Sequence, residues 1–141
     1  MKRKESIYRK YIGQLENTIK AGYYFEGAWL EYVLLEDRLI SLLENSGGVP
    51  KGIRMMGPKI GELKSRAIGD SNLKAHLSPE QLLDRLDDWK DQRNLLMHSM
   101  VDGSLSIAEI ESRIRVLAEI GSLLVRQFAS AARRVKSRIT K

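Results

Sequence analysis

The stretch SPEQLLDRLDDWKDQRNLLMHSMV, residues 78–101, decides the fold class. Leu82, Leu86, Trp89, Leu96 and Met100 recur at helical spacing and form one apolar seam. Ser78 is predicted as the N-cap, Pro79 as the first helical residue and Gln81 as the partner that closes a capping box. The helix is expected to run to about Val101 and to stop at Asp102-Gly103. Downstream, Ser106 with Glu109 repeats the capping box for a last helix. There Ile107, Ile110, Ile114, Leu117, Gly121, Leu124, Phe128, Ala131 and Val135 alternate by three and four, a pattern suited to lengthwise packing against another helix.

Upstream the period is helical as well. From about Glu5 to Ile19, residues Ile7, Tyr11, Leu15 and Ile19 share one side, and Gly22 marks a break. A second, strongly apolar helix is expected from Tyr23 to Leu43. Its stripe is Trp29, Tyr32, Val33, Leu39, Ile40 and Leu43, widened by Leu30, Leu34, Leu35 and Leu42. Asn45-Ser46-Gly47-Gly48-Val49-Pro50 ends it. Residues 45–78 read as the loosest part, with one short helix from about Pro58 to Ile68. The fold expected is an all-α helical bundle of four long helices plus a short helix, one domain over residues 1–141.

Composition sets the surroundings. The absence of cysteine excludes a disulfide framework and any thiolate metal site. His76 has no ligand-spaced neighbours, so neither a metal nor a cofactor is expected. No window approaches the roughly 18 apolar residues of a membrane span. The basic start Met1-Lys2-Arg3-Lys4-Glu5 leads into no apolar signal core, so a cytoplasmic protein is expected, with no membrane partner. The formal charge of +6 favours a polyanionic partner.

The chemistry concentrates in Arg93-Asn94-Leu95-Leu96-Met97-His98. His98 can take and give a proton near neutrality, and Arg93 is a permanently charged forked donor for phosphate or carboxylate. Arg93 falls within the apolar seam, where an unpaired cation calls for a carboxylate or a bound anion. On an ideal helix Arg93 and His98 stand about 140° apart, so a single straight helix cannot aim both at one point. A cleft between helices, or a second copy across a two-fold axis, can. Glu36 lies on the apolar stripe of the second helix, as an orienter of Arg93 or His98 or as the partner of some other basic residue; Glu31, on a neighbouring face, is the weaker alternative. Asp87, Asp88 and Asp91 act on His98 or decorate a solvated face.

The segment resembles the RNxxxH form of the motif that marks the HEPN superfamily, in the arginine, the polar residue after it and the histidine, with Leu86 and Trp89 before it. The resemblance implies a metal-independent endoribonuclease that acts as a homodimer, in some members as a toxin or phage-defence component held by an antitoxin protein. Arg93 would hold the phosphate, His98 would be the acid or base, and Asn94 would orient the phosphate or His98, leaving 2′,3′-cyclic phosphate and 5′-hydroxyl ends. Non-catalytic members, and the similar mannitol operon repressor family, imply the alternative of a regulatory or interaction protein. A third reading is a nucleic-acid-binding module without chemistry. The basic run from Arg133 to Lys141, with Arg133, Arg134 and Lys136 foremost, is either a groove for RNA phosphates or a solvated helix end favoured by the macrodipole; a second basic cluster, Lys51, Arg54, Lys59, Lys64 and Arg66, is the other candidate RNA contact.

Overall fold

The computed structural model describes residues 2–139 and is all-helical among them. Six helices follow one another: α1 (Lys2–Lys20), α2 (Tyr24–Glu44), α3 (Met56–Gly69), α4 (Ser71–Leu77), α5 (Leu82–Asp102) and α6 (Ile107–Ile139). Four are long, as expected, but two shorter ones replace the single short helix. Met1, Thr140 and Lys141, the ends of the two basic termini, lie outside the described residues.

The scaffold is organised around α6, which packs most extensively on α2 and next on α5. From Ile114 onward its expected stripe is the buried face: Ile114, Leu117, Gly121, Leu124, Phe128, Ala131 and Val135. Ala118 and Ala132 complete that face and keep it low, so α2 approaches closely. Ser106 and Glu109 form the reciprocal cap, with Glu109 N donating to Ser106 Oγ at 3.1 Å and Ser106 N to Glu109 Oε1 at 3.3 Å. Gly22 and Gly103 hold the left-handed backbone (φ +82° and +73°) that ends α1 and α5.

Three local expectations are corrected. The Ser78 cap is not formed, because the residue is already spent on the preceding helix: Ser78 N donates to Lys74 O at 3.0 Å and closes α4. Gln81, left-handed at φ 51°, turns the chain into α5 instead. α4 is a helix within a stretch expected to be loop; it is capped by Asp70, whose carboxylate accepts from Leu73 N at 3.1 Å, and it is fastened to α6 by Asn72 Nδ2 donating to Val135 O at 3.0 Å. The buried face of α2 is also rotated from the predicted stripe. Leu39 and Leu43 of that stripe are fully covered, as are Leu35 and Leu42 beside it, while Trp29 is 67% exposed and Val33 41%. A helix apolar around most of its circumference carries little phase information, and its neighbours choose which side is buried.

Candidate active site

Arg93 lies midway along α5, half-buried, with its guanidinium carbon 4.4 Å above the centre of the Tyr32 ring of α2. Among the described residues no carboxylate stands within ion-pair distance of it. The Tyr32 phenol is held above its ordinary range by burial and by the nearby Glu36 charge, and Arg93 opposes that shift. Arg93, Tyr32 and Glu36 thus form a chain of contacts across two helices. Glu36 does not pair with Arg93, since its Oε2 accepts from Lys59 Nζ at 2.7 Å and its buried Oε1 has no partner among the described residues.

His98 sits almost one and a half turns further on, exposed, on another side of the same helix. Asn94, one turn before it, is exposed too. Asp102, one turn after it, carries a carboxyl held below its usual range, first by the Ser104 hydroxyl and N–H and more weakly by the His98 charge. The i, i+4 spacing of His98 and Asp102 is legible in the sequence. Asp87 and Asp91 are engaged by Lys90 at 3.1 and 3.3 Å, so their charges are balanced locally on a solvated face and not directed at His98.

The structure therefore brings Arg93 and Glu36 into one neighbourhood and leaves His98 and Asn94 on open sides of α5. An apolar groove of about 720 Å³ runs between α5 and α6, past Trp89, Leu96, Val116 and Ile120, and neither Arg93 nor His98 lines it. Around Arg93 and Tyr32 the surface is unusually apolar: Phe25, Trp29 and Val33 of α2 and Met97 and Met100 of α5 are all exposed.

The basic residues divide sharply. Lys59 is buried, 3% exposed, and its ammonium is committed to Glu36 and to Arg54 O at 3.1 Å, so it offers nothing to a phosphate outside. Arg66 ties down the end of α2 through Leu43 O at 3.0 Å and Gly48 O at 2.6 Å, and Lys64 pairs with Asp84 at 2.8 Å. Arg133, Arg134 and Lys136 are exposed near the end of α6. No group of three or more His, Cys, Asp or Glu side chains suited to a metal occurs among the described residues.

The least expected titratable group is Glu31, buried completely in α2 with neither carboxylate oxygen hydrogen-bonded. Burial raises its pKa to about 9, so the side chain is a neutral acid at pH 7. It rests against Gly121 of α6, where a Cβ would collide with the carboxyl and come within 3.0 Å of the Trp89 ring.

No protein-family model, no curated protein and no solved structure matches this chain.

Proposed function

We infer that the chain is a metal-independent endoribonuclease of HEPN type that works as a two-fold homodimer. One observation carries this reading: Arg93 is half-buried yet faces a tyrosine ring rather than a carboxylate, on the same helix as an exposed histidine. A cation placed so, with its N–H donors uncommitted, is suited to an incoming anion. The resemblance of residues 93–98 to the HEPN motif makes that anion a phosphodiester.

The chemistry follows from two imidazoles. A base removes the proton of a ribose 2′-hydroxyl, whose oxygen attacks the adjacent phosphorus. The bond from phosphorus to the 5′-oxygen breaks, and an acid protonates that leaving oxygen. One His98 cannot stand on both sides of an in-line displacement, whereas two copies can. Arg93 holds the phosphate and offsets the charge developing on its oxygens. Asn94 is positioned to orient phosphate or imidazole, and Asp102 to orient His98. Glu36 stands back from the reaction, fixing Tyr32 and through it the bed of Arg93.

The dimer is supported by the exposed apolar surround of Phe25, Trp29, Val33, Met97 and Met100, which frames Arg93. Burying that surround against a second copy brings the two motif helices together. An antitoxin protein, in a toxin pair, would cover the same face.

The test is cleavage of single-stranded RNA in EDTA with the ends identified. The expected outcome is 2′,3′-cyclic phosphate and 5′-hydroxyl ends, lost at least about a hundredfold in His98→Ala with the thermal unfolding midpoint unchanged. Trp29→Asp should give monomers by light scattering and the same loss of cutting. Full activity of His98→Ala overturns the mechanism. Absence of cutting under every condition favours the regulatory reading, in which Arg93 on Tyr32 is a structural stack.

A further inference from the structure

The C-terminal arginines are more than a charged helix end. Arg133, Arg134 and Arg138 line an open cleft of about 380 Å³ with Ser130, Ser137 and, from α4, His76. The cleft exists because the Asn72–Val135 hydrogen bond holds α4 against the last turns of α6. No acidic side chain lines it, and among the described residues no carboxylate pairs with any of the three arginines. Three uncompensated guanidiniums in one concavity suit phosphate oxygens.

His76 refines the class of ligand. Its Nδ1 lies 3.0 Å from Asn72 O, and a carbonyl oxygen only accepts, so Nδ1 carries the hydrogen. In the neutral ring, Nε2 is then an acceptor, the wrong polarity for a phosphate oxygen but the right one for a hydroxyl. No Phe, Tyr or Trp lines the cleft, so nothing there stacks a base. A phosphodiester flanked by a ribose hydroxyl matches this set of groups, and a free nucleotide base does not.

We propose that the cleft of His76, Arg133, Arg134 and Arg138 is a second RNA subsite, which grips a backbone phosphate through the arginines and accepts a hydrogen bond from the neighbouring 2′-hydroxyl at His76 Nε2. The proposal rests on the RNA reading above and adds a place on the protein that is remote from the motif. Trp89 Nε1 donates to Leu117 O at 2.9 Å and sets the register of α5 against α6. Counting along the helices from that bond puts Arg133 roughly 30 Å from the level of Arg93. A stacked strand rising roughly 3.4 Å per nucleotide needs at least about nine nucleotides to touch both. Long RNA therefore gains from the cleft and short RNA does not.

Binding is measured by fluorescence anisotropy in the His98→Ala background, with a 20-nucleotide RNA, the DNA of the same sequence and a 5-nucleotide RNA. R133Q/R134Q should weaken binding of the long RNA about tenfold and lower its salt slope by about 1.4, the release expected for two contacts to a single strand. The 5-nucleotide RNA, too short to touch both places at once, should lose less than the long RNA. Wild-type His76 should favour long RNA over DNA by roughly two- to tenfold, one hydrogen bond's worth, and His76→Phe should erase that preference. Should His76→Phe unfold, a 2′-deoxy substitution in the long RNA asks the same question of the intact protein. Unchanged affinity in R133Q/R134Q overturns the proposal. So does equal binding of RNA and DNA, which marks the cleft as a generic polyanion or acidic-protein surface. Cleavage by the protein with native His98 is scored separately: if no RNA is cut, the ribonuclease reading fails while the binding measurements still decide the cleft.

Discussion

Glu31 and Glu36 stand five residues apart on α2 and show two ways of placing a carboxyl in a helical core. Glu36 keeps a charged partner, Lys59, which is itself nearly buried, and the pair sits at the edge of the α2–α3 contact. Glu31 has no partner, faces the backbone of α6 at Gly121, and keeps its proton. The difference teaches that burial alone does not set the ionisation of an inward carboxylate. What decides is whether a neighbouring helix brings a cation or a notch.

The pair offers the largest expected effect. Lys59→Met should destabilise the protein by roughly 3–5 kcal/mol, because it leaves the Glu36 carboxyl half-enclosed without its cation and strands the Arg54 carbonyl. Adding Glu36→Leu should recover most of that loss in chemical denaturation. A double variant as weak as the single one would mean that packing, and not charge, dominates at this position.

Glu31 should respond in the opposite sense and with pH. The unfolded chain releases this proton near 4.5, whereas the folded protein holds it to about 9. Between those values the unfolded state binds fewer protons, so folding stability falls as pH rises. At pH 7 the deficit is about 3 kcal/mol. Glu31→Gln should therefore stabilise by up to that amount at pH 7, by more as pH rises toward 9, and by nothing near pH 4. A gain independent of pH in denaturant melts would sink the neutral-acid assignment.

A smaller effect sharpens the notch. Gly121→Ala should destabilise by about 1–3 kcal/mol through overpacking against the Glu31 carboxyl and Trp89. In a Glu31→Ala background the loss should shrink, since alanine is the better helix former once space is available. Equal losses in both backgrounds would show that Trp89 alone forbids the Cβ.

Much of the scaffold was legible because it is written in local terms. The Ser106–Glu109 cap, the Gly22 and Gly103 stops and the α6 stripe all depend on residues within a few positions of one another. α4 escaped because seven residues carry too little period, although Asp70 at its N-cap was a usable signal. Ser78 misled for a related reason: a good N-cap residue is also acceptable as the last residue of a preceding turn. On α2 the pattern points to Trp29, Val33 and Glu36 as inward although Leu35 and Glu31 are the covered ones, since a helix apolar on most sides gives no single answer. At the candidate site Arg93, Asn94, His98 and Glu36 could be named from sequence. Tyr32 beneath Arg93, Asp102 beside His98 and His76 among the arginines could not be weighed without their neighbours.

The sequence by itself determined that this chain is helical, where its long helices end, which side of α6 is buried and which helix carries Arg93 and His98. Those properties rest on hydrogen bonds and side-chain periods that close within one or two turns. Only the tertiary structure decided that Lys59 serves Glu36 rather than a ligand, that Glu31 is the orphaned acid, that Arg93 rests on Tyr32 and that His76 joins Arg133, Arg134 and Arg138 in one cleft. Each of these joins residues from different helices, and the rotation of one helix against another is set by how all their side chains pack together.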